Sequence, residues 1–147
     1  MIKIEQEIEH LTPFILDGQA QHMGTTLGIE FLELSRQLVV AKMPVNRHTR
    51  QPMGLLHGGA SVALGETLCS IGGWLNITGQ KQTAVGLEIN ANHLRAVRSG
   101  IVVGKAFPIH LGQKTQVWQF NIETENGKKV CSGRCTLAIV KAIQKTQ

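Results

Sequence analysis

The sequence is poor in aromatic residues and in cysteine. Aromatic side chains make up 4% of the 147 residues and tyrosine is absent, which weakens any case for binding single-stranded nucleic acid by base stacking. The cysteines, Cys69, Cys131 and Cys135, are odd in number and show no CxxC spacing. We therefore expect no disulfide framework and no cysteine-bound metal, and a reducing compartment. Cys131 and Cys135 share one face of a predicted strand, and we expect them in the core.

Targeting signals and long apolar runs are also missing. The first ten residues mix Lys3 and several glutamates with isoleucines, so they lack the basic start and apolar stretch of a signal peptide. Glu66, Asn76 and several glycines interrupt the best candidate for a membrane span, which needs about 18 uncharged apolar residues. We expect one soluble, cytoplasmic domain over residues 1–147, because that length fits a single domain.

The composition is otherwise that of a globular protein with a modest basic excess. Hydrophobic residues make up 42% and charged residues 17% of the chain, and Lys plus Arg outnumber Asp plus Glu by 15 to 10. Such an excess suits an anionic small ligand, although many ordinary domains carry it. No GxSxG or GxxxxGK[ST] motif is present, which argues against a serine nucleophile in an elbow turn and against a P-loop.

Hydrophobic periodicity predicts one long helix among strands. Residues 2–17 suit a short amphipathic helix that Pro13 kinks or ends, and residues 57–77 form the long helix. Strands are predicted at 26–34, 37–45, 82–92, 101–109, 114–124 and 129–140, and Asn126-Gly127 is a strong hairpin-turn signal. The economical architecture is an α+β fold in which an antiparallel sheet wraps the long helix.

The long helix has two different faces. At 100° per residue, its apolar stripe comprises Leu64, Leu68, Ile71 and Leu75. The other face is small and almost uncharged, and comprises Gly59, Ala63, Glu66, Ser70 and Gly73. Small residues let two backbones approach closely, so we expect the same helix of a second subunit to pack here. Glu66 would then lie at a subunit seam and is a candidate functional residue, the alternative being an ordinary surface glutamate.

A histidine and two glycines open this helix. The first N–H groups of a helix have no internal partner and lie at its positive end, and glycines let a ligand approach them. The Gly58 N–H could therefore stabilise a carbonyl oxygen that becomes negative during attack, which is typically worth about 3–4 kcal/mol per donor. The alternative is that the glycines of His57-Gly58-Gly59 serve only the turn.

Three segments in order resemble the hotdog-fold acyl-CoA thioesterases: QPMGLLHGGASVALGE, VGLEINANHLRAVRSG and HLGQKTQVWQ. The likeness covers about residues 25–140 and is strongest to the subgroup acting on aromatic acyl-CoAs such as 1,4-dihydroxy-2-naphthoyl-CoA, with 4-hydroxybenzoyl-CoA and phenylacetate-pathway enzymes as relatives. It fails only in the amino-terminal helix, residues 1–22, which varies in the family. The resemblance implies a hotdog fold, in which a curved antiparallel sheet wraps a central helix, and hydrolysis of an acyl-CoA thioester.

The resemblance also assigns roles to residues. Glu66 matches the catalytic carboxylate, acting as nucleophile through a mixed anhydride or as general base on water. Gly58 matches the N–H that polarises the thioester carbonyl, and His57 matches a histidine beside it. Gln51 matches a glutamine that positions substrate or water, and Ser70 matches a hydroxyl facing the acyl pocket across the subunit seam.

The same resemblance indicates where coenzyme A, which is part of the substrate rather than a cofactor, would run. The residues that match the CoA path are Gly86, His93, Leu94, Arg95, Ala96, His110, Leu111, Gly112, Gln113, Lys114 and Thr115. For Arg95, Arg98 and Lys114 the alternative is ordinary solvated charge in turns. A departure from the family is Gly65, where relatives have a residue such as Ala; glycine there loosens the helix by about 1 kcal/mol.

Other functions remain open at this level. A hotdog dehydratase of 3-hydroxyacyl thioesters would need a histidine and a carboxylate facing each other across the seam, and a non-catalytic acyl-CoA-binding module would have no use for Gln51, the HGG turn and Glu66 together. The acyl group could be aryl or a straight medium chain, carried on CoA or on a carrier protein. A site at the seam implies at least a dimer, and the relatives suggest a tetramer made of two dimers.

Overall fold

One long helix packs against the concave face of a seven-stranded sheet. The computed structural model describes residues 1–17, 20–77 and 81–142. The strands are β1 Lys3–Ile4, β2 Glu30–Leu34, β3 Val39–Pro44, β4 Gln82–His93, β5 Ile101–Leu111, β6 Thr115–Thr124 and β7 Lys129–Lys141. A 3₁₀ helix, Gln6–Phe14, precedes α1, Met23–Leu27, and the long helix is α2, Gly58–Leu75.

The strand order places β4 at one edge of the sheet. The order is β1-β2-β3-β5-β6-β7-β4, and every pair is antiparallel except β1 with β2. The hairpin signal is confirmed: Gly127, at φ +78°, donates its N–H to the Thr124 carbonyl at 2.8 Å between β6 and β7. The sheet wrapped on one central helix is the predicted α+β hotdog fold.

Helix α2 is held by the apolar stripe that the periodicity predicts. Leu64 and Leu68 are fully buried and Leu75 is 2% exposed, whereas Ile71 is only half-buried. Burying side chains of this size stabilises the fold by about 1.5–3 kcal/mol each. The predicted helix 57–77 and the four strands that follow it therefore agree with the structure to within two residues at most boundaries.

The amino-terminal part differs from the expectation. The predicted amphipathic α-helix over 2–17 is wrong, because β1 pairs in parallel with β2 and a 3₁₀ helix containing Pro13 follows. Proline has no N–H for an α-helical hydrogen bond, and its ring crowds the preceding turn. Residues 18 and 19 of the predicted amino-terminal segment 1–22 lie outside the described residues. Elsewhere in the chain, so do residues 78–80 and 143–147.

The first predicted strand, 26–34, begins at Glu30 in the structure. Residues 23–27 form α1, and Gly28 ends this helix in the left-handed conformation at φ +73°. The His22 side chain and Thr25 form a reciprocal cap at the start of α1, a local arrangement that alternation of apolar and polar residues does not report.

Two further predictions concern the burial of the cysteines and the length of the helices. Cys69, Cys131 and Cys135 are free thiols and fully buried, so the prediction that Cys131 and Cys135 lie in the core is confirmed. Among the residues described, no helix has the length and apolarity needed to cross a bilayer.

Candidate active site

The entry of α2 is fixed by backbone and side-chain hydrogen bonds. The His57 N–H donates to the Thr49 carbonyl at 2.8 Å, and the Leu56 N–H donates to the Val97 carbonyl at 2.8 Å. His57 Nδ1 accepts from the Gly59 N–H at 2.8 Å, so the neutral ring carries its proton on Nε2. In the part of the chain that the structure describes, no hydrogen bond uses the Gly58 N–H, which leaves this donor available to a ligand.

Gly58 opens into a cavity of about 410 Å³, which we call the entry cavity. Its lining residues are Gln51, Leu55, Leu56, Gly58, Ser61, His93, Leu94, Arg95, Ala96 and Val130. A Cβ placed on Gly58 would lie 2.9 Å from His93 Nε2, so glycine is what allows the imidazole to lie beside the helix entry. The structure thus brings Gln51, Gly58 and the segment from His93 to Ala96 together.

Basic groups extend from the entry cavity. Arg95 also lines a neighbouring cavity of about 400 Å³, which two basic residues, Arg95 and Lys128, share with one acidic residue, Glu125. Arg95 and Lys128 are both exposed, and their charges suit phosphate groups. Lys128 was not identified from the sequence, where it is one basic residue after a turn glycine.

Glu66 opens into a different cavity, of about 680 Å³, which we call the Glu66 cavity. It lies between α2 and the amino-terminal segments, and its lining residues are Pro13, Phe14, Ile15, Asp17, Ala20, His22, Met23, Phe31, Ala63, Glu66, Thr67, Ser70 and Ile71. Glu66 and Ser70, one turn apart on α2, therefore share it as the sequence predicts. On the other side of the carboxylate lies β4: a Cβ on Gly86 would be 3.1 Å from Glu66 Oε1.

The structure separates Gly58 from Glu66 within one chain. Eight residues of helix correspond to about 12 Å along the axis, and the two groups line different cavities. His57 lines neither cavity and instead caps α2. A carbonyl bound at Gly58 is thus out of reach of the Glu66 carboxylate of the same chain.

The two predicted CoA segments are also apart. Along β7, Cys131 pairs with His93 and Ala138 pairs with Thr115, so seven residues, or about 23 Å of extended strand, separate them. The turn from His110 to Thr115 lies at the far end of the sheet, where the Gly112 N–H donates to the Thr115 carbonyl at 2.9 Å.

The small face of α2 is open over most of its length. Gly59 and Glu66 are exposed, and Ala63 and Ser70 are half-buried, as a face that receives another subunit requires. Gly73 is wrongly placed on it: this residue is buried, and a Cβ there would lie 2.3 Å from Leu137 Cδ1 of β7. The sheet curls over the carboxyl end of α2, which a helical wheel does not represent.

The buried thiols lie close to the carboxylate but are not suited to nucleophilic chemistry. A hydrogen bond with Cys135, together with burial, raises the pKa of the Cys69 thiol far above its ordinary value. Burial also raises the pKa of Cys131, whereas the hydrogen bond with Cys69 lowers the pKa of the Cys135 thiol. All three thiols are fully buried and out of reach of a substrate, which leaves the Glu66 carboxylate as the candidate for chemistry in this part of the molecule. No cluster of three or more His, Cys, Asp or Glu suited to a metal occurs in residues 1–17, 20–77 and 81–142.

Several lining residues escaped the sequence reasoning. Ser61 is 1% exposed and lines the entry cavity one turn into α2, where its spacing from Gly58 could have suggested it. Phe14, His22 and Met23 reach the Glu66 cavity through the packing of the amino-terminal segment, for which the sequence carries no comparable signal.

Comparison with known proteins identifies the family and agrees with the fold. The model of a family described as the thioesterase superfamily matches residues 53–131. The 1,4-dihydroxy-2-naphthoyl-CoA hydrolase of Escherichia coli is 50% identical over 123 residues, covering 84% of this chain and 89% of its own. The proofreading thioesterase EntH of Klebsiella pneumoniae is 47% identical over 131 residues, covering 88% and 95%. The crystal structure of a thioesterase from Haemophilus influenzae superposes with a TM-score of 0.82 at 43% identity, covering 95% and 94%.

Proposed function

The chain belongs to the thioesterase superfamily, and from this premise we propose that it hydrolyses aryl-CoA thioesters, such as 1,4-dihydroxy-2-naphthoyl-CoA, in a site shared by two subunits. Thioester hydrolysis follows from the family. The proposal of a shared site rests on the observation that the Gly58 N–H and the Glu66 carboxylate of one chain open into different cavities.

A second copy of the chain resolves this separation. If two subunits associate with their α2 helices antiparallel, Glu66 of one subunit faces Gly58 of the other. The edge strand β4 supports such a pairing, because Val85 is 42% and Leu87 is 62% exposed there. Unpaired edge strands with exposed apolar side chains readily pair with another chain, and two-fold dimers are the commonest assembly. We extend the proposal to a tetramer of two such dimers, as the family resemblance suggests.

The proposed chemistry uses one donor and one carboxylate. The thioester carbonyl oxygen accepts a hydrogen bond from the Gly58 N–H, which stabilises the negative charge that develops on attack. The Glu66 carboxylate of the partner subunit either attacks the carbonyl carbon, giving an anhydride that water opens, or removes a proton from an attacking water. In both routes the C–S bond breaks and CoA leaves as a thiolate that takes up a proton. Gln51 positions the substrate or the water, and His57 holds the turn through its cap.

Coenzyme A would run along the entry cavity past His93 towards the charges of Arg95 and Lys128. Antiparallel pairing of two β4 strands reverses one sheet relative to the other. It therefore brings the turn from His110 to Thr115 of the partner subunit to the end at which His93 of the first subunit lies. This arrangement would unite the two CoA segments that lie about 23 Å apart within one chain.

Two observations support an aryl acyl group. The cavity beside Glu66 is bounded largely by apolar side chains, including Phe14 and Phe31, and its size lies in the range of small-molecule sites. A relative at 50% identity is a 1,4-dihydroxy-2-naphthoyl-CoA hydrolase, while another, at 47%, is a proofreading thioesterase. Family membership favours hydrolysis over the dehydratase and the binding module.

The experiment is a panel of aryl, medium-chain and long-chain acyl-CoAs read by thiol release. We expect the aryl thioesters to have the highest kcat/KM. Glu66→Ala and Glu66→Gln should abolish turnover while CoA still raises Tm. Glu9→Gln, an exposed acid on the amino-terminal 3₁₀ helix, is the matched control and should retain full activity. Near wild-type hydrolysis by Glu66→Ala would refute the mechanism, and a clear preference for straight chains would refute the aryl assignment.

A further inference from the structure

The amino-terminal segments and α2 together enclose the Glu66 cavity. Phe14 is the last residue of the 3₁₀ helix and Met23 is the first residue of α1. Both line this cavity together with Glu66. Phe14 is 77% and Met23 is 66% exposed, although both side chains are apolar. Large apolar side chains left open beside a reactive group are typical of ligand sites rather than of a solvent-facing surface.

We propose that Phe14 and Met23 form the wall of the acyl pocket that selects the acyl group. This inference rests on the proposed function, because it assumes that the acyl group lies in the Glu66 cavity. It gives these two residues of the amino-terminal segments the role of determining which acyl group enters.

The wall is built into the fold and does not hang loosely over the cavity. Ile8, on the same 3₁₀ helix as Phe14, is fully buried and Thr12 is 4% exposed. The Glu5 N–H donates to the Leu34 carbonyl at 2.9 Å, and the Glu5 carboxylate accepts from the Arg36 N–H at 2.7 Å. These contacts fix the 3₁₀ helix against the sheet, so the position of Phe14 is set before substrate arrives.

Phe14 is also tied to the far end of α2. Its ring lies 5.6 Å from the Trp74 ring, with an interplanar angle of 47°, a geometry typical of a favourable aromatic pair. Trp74 does not itself line the Glu66 cavity, so an aryl acyl group there would meet the Phe14 ring, which the contact with Trp74 holds in place. The Phe14 ring favours a flat aryl ligand over a flexible acyl chain. A rigid aryl group loses little conformational entropy when it stacks on Phe14, whereas a flexible chain loses more.

Met23 is held by the cap of α1. His22 Nδ1 accepts from the Gly24 N–H at 3.1 Å, and Thr25 Oγ1 accepts from the His22 N–H at 3.1 Å. The cap fixes the backbone on both sides of Met23, while its thioether side chain stays adaptable. Met23 therefore lies at a fixed place in the wall, and its side chain can adapt to rings of somewhat different size.

The test measures acyl selectivity in the full-length protein. Phe14→Ala should lower kcat/KM for naphthoyl-CoA about 10-fold to 100-fold, mostly through KM, and leave butyryl-CoA hydrolysis within about threefold of wild type. Met23→Ala should shift the preference towards larger acyl groups. Met23→Trp should do the opposite, excluding naphthoyl while retaining butyryl. Leu32→Ala, an apolar residue 39% exposed on β2 outside the cavity, should retain the wild-type ranking.

The outcomes separate the two proposals. If the wild type releases thiol from no acyl-CoA, the proposed function fails. If the wild type hydrolyses acyl-CoAs but all three wall variants retain its ranking of substrates, the inference fails alone. Because both side chains are largely exposed, we expect the variants to stay folded, with Phe14→Ala losing only the contact with Trp74. Should Phe14→Ala unfold, the opposite shifts expected of Met23→Ala and Met23→Trp still decide the matter.

Discussion

The ring of Phe120 lies directly against the backbone of Gly65, the residue before the catalytic candidate. A Cβ at Gly65 would be 2.5 Å from Cε2 of that ring. The glycine therefore allows α2 to pack closely against β6 next to Glu66. Its departure from the family pattern thus has a packing reason, which outweighs the loosening of the helix expected from the sequence.

Gly65→Ala should therefore destabilise the protein. Alanine gains about 1 kcal/mol of helix propensity, but overpacking typically costs about 1–3 kcal/mol, and the clash here is with a fully buried ring. Urea unfolding should show a lower midpoint for Gly65→Ala, and Phe120→Leu in the same chain should recover part of the loss. A stabilised Gly65→Ala protein would contradict the packing account.

Arg95 should matter for the phosphates of CoA and not for the chemistry. Arg95→Ala should raise KM for acyl-CoA about tenfold, since hydrogen bonds to charged groups are worth about 1.5–3 kcal/mol, with kcat little changed. The same acyl group on N-acetylcysteamine, which lacks phosphate, should be hydrolysed equally by variant and wild type. Arg36→Ala, an exposed arginine next to β2, is the control. Equal losses on both thioesters would show that Arg95 acts in some other way.

We expect the buried Cys131 thiol to make the protein less stable at alkaline pH. Burial raises the pKa of the Cys131 thiol above its unfolded value, so above about pH 8.5 the unfolded thiol ionises while the native one holds its proton. Stability that is fully present below that pH then falls by at most about 1.4 kcal/mol per pH unit for this thiol. Between pH 7 and pH 9.5 the urea midpoint should fall less in Cys131→Ala than in wild type. The same fall in both proteins would exclude this source.

Particular residues show how far the sequence could lead. The spacing of Leu64 and Leu68 predicts α2, and Asn126-Gly127 predicts the last hairpin, because both signals are local. The reason for Gly65 is not local, since its neighbour Phe120 lies on another element far along the chain. The apolar spacing of residues 2–17 predicts an α-helix that does not form, because Lys3–Ile4 pairs with β2 and the segment containing Pro13 is a 3₁₀ helix. Family resemblance suggests roles for Gly58 and Glu66, but only the fold reveals that one chain keeps them in separate cavities.

A purified mixed dimer tests the shared site most directly. Gln51 lines the entry cavity with Gly58, while Glu66 lines the other, so Gln51→Ala and Glu66→Ala should damage opposite halves of each site. Each homodimer should be inactive or nearly so. The two variants, co-expressed with different affinity tags and isolated as the heterodimer, should contain one intact and one doubly damaged site, giving about half of the wild-type activity per dimer. A heterodimer as inactive as its parents would mean that each chain carries its own complete site, which would contradict the account.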